Sequence, residues 1–307
     1  MLPQNAQERC VVRTGSWITI SLAQGSSLGL GSVKIQLIAL DLDGTLVGRS
    51  LLIPARNRLV LRMAMERGCR VTIATGRSLV PTDRFARELG LNAPLILYQG
   101  ALIQDYRDGT IIHRETLPLP LAREIAAFAA ARQWPAQVHD EDGTAFTTRT
   151  NPIAARMQTI TGVPAVLVDD LVAWLSRPPL KFLFIEAPER TLEIIRELRE
   201  RFDDHVNVVR SHDFIVEVTA PHVSKGHALA ILAARLGIPR VATLAMGDHD
   251  NDADMLAWAG LGIAMPNASA AAQAAADIIA PSQPSPDGHD EAVAWAVEKF
   301  VLDTMTG

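Results

Sequence analysis

Ile35-Gln36-Leu37-Ile38-Ala39-Leu40-Asp41-Leu42-Asp43-Gly44-Thr45-Leu46-Val47 runs an apolar stretch of strand length into two carboxylates two residues apart. Side chains alternate faces along a strand, so Asp41 and Asp43 leave its end pointing the same way. Gly44 frees the backbone to turn there, and Thr45 adds a hydroxyl. Two acids at one mouth repel each other unless positive charge lies between them. A hard divalent cation bound through oxygens meets that need, and at this size it points to Mg2+. An isolated Asp-x-Asp-Gly is also an ordinary surface turn. The buried-type strand ahead of it, the threonine behind it and the clusters farther along the chain favour a site.

A helix follows, with Pro54 near its start, Leu59, Val60, Met63 and Ala64 on one face, and Gly68 just past its end. Cys69-Arg70-Val71-Thr72-Ile73-Ala74 is a second buried strand, stopping at Thr75-Gly76-Arg77. Another helix runs through Phe85 and Leu89 to Gly90, and Leu95-Ile96-Leu97-Tyr98 forms a third strand ending at Gln99-Gly100-Ala101. Strands that are apolar on both faces and alternate with helices predict a parallel sheet covered on both sides. Ligands of such sheets lie beyond the carboxyl ends of the strands. Asp41, Asp43, Thr75 and Gln99 all stand at those ends.

The rhythm then changes. Asp108-Gly109 between two apolar runs signals a hairpin. From 117 to 213 a helix over 121–132, short strands around Asp142-Gly143, the strand Lys181–Ile185, a charged helix over 189–201 and the strand 206–209 read as an inserted α+β unit. The α/β pattern returns with Ile215-Val216-Glu217-Val218, a helix after Lys225-Gly226, and the strand Val241–Met246, which ends in Gly247-Asp248-His249-Asp250-Asn251-Asp252. The expected organisation is a disordered extension over 1–33, a Rossmann-like parallel-sheet core built from 34–116 and 214–307, and the insert over 117–213 between them.

Composition narrows the class. The chain has 307 residues, 48% hydrophobic and 21% charged, an ordinary globular balance. A net charge of −5 gives no reason to expect nucleic acid or an anionic membrane as partner. No apolar run reaches the roughly 18 residues of a membrane span. Cys10 and Cys69 form no metal cluster and fit a reducing cytoplasm.

Four polar clusters thus stand at element ends: Asp41/Asp43/Thr45, Thr75-Gly76-Arg77, Lys225, and Gly247-Asp248 with Asn251-Asp252. Carboxylates for a metal, a hydroxyl and amides for an anion, and a lysine for a second charge suit phosphoryl transfer, where catalysis is mostly positioning and charge neutralisation. A lysine at a helix start is electrostatically unfavourable and asks for a reason.

These clusters, in this order, resemble the four motifs of the haloacid dehalogenase-like (HAD) superfamily. Asp41-Leu42-Asp43-Gly44-Thr45-Leu46 is similar to its DxDGT nucleophile motif and Gly247–Asp252 to its GDxxND motif. Val223-Ser224-Lys225-Gly226-His227-Ala228-Leu229 and Ala259–Ala268 are similar to the Cof-type, or IIB, branch. The resemblance covers roughly residues 35–300. It implies a parallel-sheet core with an inserted cap of the C2 type, and a Mg2+-dependent phosphatase of small phosphorylated metabolites.

In that chemistry Asp41 is the nucleophile, forming an aspartyl-phosphate, and Asp43 is acid and then base. Thr75 and the Gly76 amide hold phosphoryl oxygens, Lys225 neutralises charge, and Asn251 sits beside the phosphate and the lysine, while Arg77 either binds substrate or pairs with an acid. Asp41, the Asp43 carbonyl, Asp248 and Asp252 hold or support Mg2+. His139, Arg149 and Lys181 of the cap are candidates to face the substrate, and His249 lies at a variable loop position. Two departures stand out: Gln99-Gly100-Ala101 replaces Asn-Gly-Ala, and Asp287-Gly288 lacks the usual preceding Asn. A phosphomutase of the phosphomannomutase type is the alternative within the same chemistry. A non-enzymatic phospho-acceptor is the alternative outside it, and would have no use for so large an insert.

Overall fold

The computed structural model of the chain describes residues 9–14, 17–22, 33–48, 50–140, 143–161, 163, 165–285 and 290–303. Strands β1 (Arg9–Thr14) and β2 (Trp17–Leu22) pair antiparallel, from Arg9↔Leu22 to Thr14↔Trp17. Both lie in the segment expected to be a disordered extension, the rest of which lies outside the described residues up to 32. The described part is a strand pair, and Val11-Val12 and Ile18-Thr19-Ile20 are the β-branched residues that favour it.

The core begins at β3 (Leu37–Leu40), whose residues are all buried. Helix α1 (Ala55–Glu66), β4 (Arg70–Ile73), α2 (Leu79–Leu89) and β5 (Leu95–Leu97) follow. Gly90 ends α2 in the left-handed conformation at φ 68°. Strands β6 (Leu102–Gln104) and β7 (Ile111–Arg114) extend β5 as an antiparallel meander.

The insert contains α3 (Leu119–Ala131), β8 (Ala136–His139), β9 (Ala145–Thr147), α4 (Pro152–Thr161), β10 (Ala165–Leu167) and α5 (Leu171–Trp174). It continues through β11 (Lys181–Ile185), α6 (Pro188–Phe202), β12 (Asn207–His212) and β13 (Ile215–Thr219). One six-stranded sheet results, in the order β10-β9-β8-β11-β13-β12. The boundary expected after Asp213 therefore lies after Thr219, because β13 pairs with β11 on one side and β12 on the other. Val216 and Val218 are buried with Val138, Phe182 and Phe184 under Ile125 of α3 and Leu198 of α6. Strand alternation sends Gln137, His139, Lys181, Leu183, Ile215 and Glu217 to the opposite face of the same sheet.

The chain then returns to the core with α7 (Lys225–Arg235), β14 (Thr243–Gly247), α8 (Ala253–Trp258) and β15 (Leu261–Ala264). Helix α9 (Ala270–Ala275), β16 (Ile278–Ile279) and α10 (Ala292–Val297) complete it. The core sheet runs β16-β15-β14-β3-β4, parallel throughout, and the bridge Ala74↔Ile96 brings β5 alongside β4. Winding proceeds from β3 through β4 to β5, crosses the insert, and restarts at β14 on the other side of β3. The crevice between β3 and β14 is therefore a topological switch point, where open α/β sheets bind ligands.

The insert has its own buried cluster, separate from that of the core. Phe184→Ala removes a fully buried ring that packs edge-on against Trp134 at 5.8 Å. It is expected to lower the unfolding free energy by about 3–5 kcal/mol, measured by urea denaturation.

Candidate active site

Asp41 is the first residue beyond β3, and its amide donates to the Met246 carbonyl of β14 at 3.0 Å. Asp248 is the first residue beyond β14. Adjacent parallel strands thus deliver one carboxylate each to the same crevice. Asp252, on a single turn over Asp250–Asp252, supplies the third. Carboxylate oxygens of Asp41, Asp248 and Asp252 lie within 4.8 Å of one another. Two glycines permit this crowding. Gly44 has φ 91°, and a Cβ there would stand 2.2 Å from Asp248 Oδ2. A Cβ on Gly247 would stand 2.4 Å from the Asp252 Cβ.

The counter-charge is Lys225, the first residue of α7. Ser224 caps that helix by accepting from the His227 amide at 3.1 Å. The Gly226 amide donates to Asp254 Oδ2 at 2.8 Å, and a Cβ on Gly226 would collide with the Asp254 carbonyl, so α7 starts hard against α8. The buried Lys225 Nζ donates to Asp41 Oδ1 and to Asp252 Oδ1, both at 2.6 Å. Burial alone would discharge this ammonium, but Asp252 and Asp41 outweigh it and hold the lysine charged. That resolves the unfavourable placement of a cation at a helix start.

One lysine does not balance three carboxylates. Burial, followed by repulsion from Asp252, pushes Asp41 well above the usual carboxylate range; Asp248 and Asp43 add to the shift, and Lys225 opposes it. The same two leading causes push Asp248 up to about 6. Asp41 Oδ2 is buried and has no hydrogen-bond partner. Asp248 Oδ1 accepts from Thr45 Oγ1 at 3.3 Å. Asp252 Oδ2, by contrast, accepts the amides of Asp248 and His249, both at 3.0 Å, while its other oxygen takes Lys225. Asp252 thus pins the loop and the lysine, leaving Asp41 and Asp248 as the acids with an oxygen to offer. This excess of hard oxygen donors fits a divalent cation such as Mg2+.

Asp43 stands apart from that cluster. Its side chain is 49% exposed. Arg77 grips it with both arms: Nε donates to Oδ2 at 2.7 Å and Nη2 bonds Oδ1. Arg77 is thus committed to a carboxylate, and its amide donates to Thr75 Oγ1 at 3.2 Å.

Gln99 is held by an unusual backbone. Tyr98, Gln99 and Gly100 have consecutive positive φ values of 52°, 60° and 103°, costly for the two non-glycine residues. The buried Gln99 amide reaches in two directions. Its Nε2 donates to Glu217 Oε1 at 2.7 Å, and its Oε1 accepts from Asn251 Nδ2 at 2.9 Å. The added methylene of glutamine is therefore used in full. Lys181 Nζ donates to Glu217 Oε2 at 2.5 Å and to the Gly76 carbonyl at 2.7 Å. Burial would raise the Glu217 pKa, but Lys181 and the hydrogen bonds to Lys181, Ser211 and Gln99 lower it on balance. Asn251 is thus joined to the insert through Gln99.

A cavity of about 1240 Å³ lies between the two units. Asp41, Asp43, Thr75, Gly76, Arg77, Asp248, Asn251 and Asp252 line its core side, with Lys225 buried behind them. His139, Lys181, Leu183, Ile215 and Glu217 line the insert side, and His249 also faces it. Arg149 is not in the lining; its Nη1 donates to the Gln133 carbonyl at 3.0 Å. Asp287-Gly288 lies outside the described residues. Glu217 is the site residue that sequence reasoning missed. Its signal was there: one acid at an alternate position of an otherwise apolar strand.

A family model described as haloacid dehalogenase-like hydrolase matches residues 38–293. A Bacillus subtilis protein named 5-amino-6-(5-phospho-D-ribitylamino)uracil phosphatase YcsE is 31% identical over 271 residues, covering 88% of this chain and 97% of the relative. An Arabidopsis thaliana protein named chloroplastic endoribonuclease YBEY is 29% identical; the match covers 88% of this chain, which spans only 48% of that relative. Among solved structures, a haloacid dehalogenase-like hydrolase from Bacteroides thetaiotaomicron superposes with a TM-score of 0.76 at 27% identity, covering 87% of this chain and 99% of its own.

Lys225→Met would leave two buried carboxylates without their cation. The expected loss is about 3–5 kcal/mol of stability at neutral pH in metal-free buffer. The deficit should shrink as pH falls and the unpaired carboxylates take up protons. Chemical denaturation at several pH values measures both.

Proposed function

The chain belongs to the haloacid dehalogenase-like hydrolase family, and from that premise we propose that it hydrolyses phosphomonoesters of small metabolites, a sugar phosphate or similar ester, with Mg2+ as cofactor. The observation that carries the reading is Asp41: one oxygen bonded to Lys225, the other unpartnered, at the switch point and in the cavity lining. The phosphorylated ribityl group in the name of the Bacillus relative supports a polyol-type ester.

Asp41 attacks phosphorus as the bond to the leaving oxygen breaks, giving an aspartyl-phosphate and an alcohol. Asp43 gives its proton to the leaving oxygen as it departs, which makes it the alcohol, and then takes a proton from the water that attacks the acyl phosphate, releasing phosphate and restoring Asp41. Arg77 aims the Asp43 carboxylate and is in this reading an orienting group, with substrate contact left to the Thr75 hydroxyl and the Gly76 amide. Lys225 offsets the charge that builds between nucleophile and phosphate. Asp41, Asp248 and the Asp43 carbonyl would hold Mg2+, which when bound supplies charge neutralisation at the phosphoryl oxygens. The insert closes over this end and limits water. Among the described residues no helix is long and apolar enough to cross a membrane; a cytoplasmic location is part of the proposal, on cysteine usage.

Phosphate release from a panel of phosphorylated metabolites, with Mg2+ and with EDTA, tests the reading. Asp41→Asn is expected to cut turnover about 1,000-fold or more while leaving the fold intact. Activity at a sizeable fraction of wild type would remove Asp41 as nucleophile. Mg2+ should raise the melting temperature of the wild type by mass action, and Asp248→Asn should abolish that rise.

A further inference from the structure

We propose that the Lys181–Glu217 pair makes the cavity selective for esters whose leaving group carries no charge of its own. The proposal rests on the phosphatase reading and adds the class of leaving group.

The insert side of the cavity is where a leaving group must go, because the core side holds the phosphoryl end. Among the described residues the lining has one arginine and one lysine, Arg77 and Lys181. Arg77 is bound by Asp43. Lys181 is bound by Glu217 at 2.5 Å, with both side chains about 95% buried. The Gly76 carbonyl and the Gln99 amide lock the pair from the core side, at 2.7 Å each. Both Glu217 oxygens are filled by these donors, so the acid acts as counter-ion to the lysine and not as a substrate ligand. The two insert imidazoles in the lining, His139 and His212, are both driven by burial toward their neutral form. Among the described residues, a second phosphate or a carboxylate on the leaving group would meet Glu217 and no uncommitted lysine or arginine.

A neutral polar group meets better partners. His139 Nε2 is buried without a hydrogen-bond partner. Its residue lines the cavity, and it stands opposite Lys181 in the strand register. An uncharged imidazole nitrogen can exchange a hydrogen bond with a hydroxyl or an amide. Leu183 and Ile215, on the same face of the sheet, offer apolar contact to carbon faces. Hydroxyls with C–H faces are the surface of a sugar or a polyol.

The test compares kcat/KM for matched esters: sugar monophosphates against the corresponding phosphorylated sugar acids and sugar bisphosphates. Wild type is expected to favour the neutral member of each pair. Glu217→Gln removes the counter-ion of Lys181, a place that an anionic leaving group can then take, and should move the ratio toward the anionic member by about tenfold or more, mainly through KM. The double variant Lys181→Met with Glu217→Gln removes both charges and should return the neutral preference, which a merely structural role for the pair would not predict. A wild-type preference for anionic leaving groups, or an unmoved ratio in folded Glu217→Gln, overturns the proposal. Should Glu217→Gln fail to fold, the wild type and the double variant decide: an anionic preference in either overturns it. Absence of phosphate release from every ester is a different result and removes the phosphatase reading itself.

Discussion

Three clustered carboxylates, those of Asp41 and Asp252 buried and that of Asp248 half-buried, have one lysine among them, and much of the core's architecture follows from that shortage. Lys225 can touch Asp41 and Asp252 at once only if α7 begins within reach of the β3–β14 crevice. Gly226 allows the approach by leaving room for the Asp254 backbone. Gly44 and Gly247 allow the carboxylates to crowd without collision. Since burial penalises every unpaired charge, the cluster tolerates little displacement. It is held by hydrogen bonds on most sides, and its buried atom without a partner is Asp41 Oδ2. That buried, unsatisfied oxygen is the one the proposed chemistry needs.

The second constraint is the contact between insert and core. A buried ion pair is poor evidence for stability, since desolvation of both partners offsets their attraction. Lys181 and Glu217 have a different consequence: each also bonds a core group, the Gly76 carbonyl and the Gln99 amide. The sheet of the insert is thereby registered against the loops that carry Thr75 and Asn251. The strained run Tyr98–Gly100 belongs to this joint. It turns Gln99 so that one amide serves both Glu217 and Asn251. Strain of this kind persists only where surrounding contacts over-determine the backbone.

The core was legible because its signals are local. A strand that ends in Asp41-x-Asp43-Gly44 encodes its own turn and the facing of its acids within four residues. Gly247–Asp252 encodes a strand end and a single turn in six. The strands of the core sheet are apolar on both faces, which sets them apart from half-buried strands. The insert was harder to read. Ile215-Val216-Glu217-Val218 carries the same apolar letters as a core strand, and it was assigned to the wrong sheet. The elements Pro152–Thr161 and Ala165–Leu167 went unread, being short and without clear periodicity.

By itself, the sequence determined the parallel core, the existence and rough span of the insert, and the set of residues that meet at the strand ends. Hydrophobic period and turn chemistry act over a few residues, and a linear text displays them. Only the tertiary structure decided which sheet takes Ile215–Thr219, what Arg77 grips, and how Glu217, Lys181 and Gln99 come together. Glu217 and Gln99 are 118 positions apart, and Lys181 and Gly76 are 105. A period of two tells which side chains share a face but not what lies across from that face. The burial free energy of a strand is nearly the same in either sheet, so the partner is chosen by the packing of the whole chain.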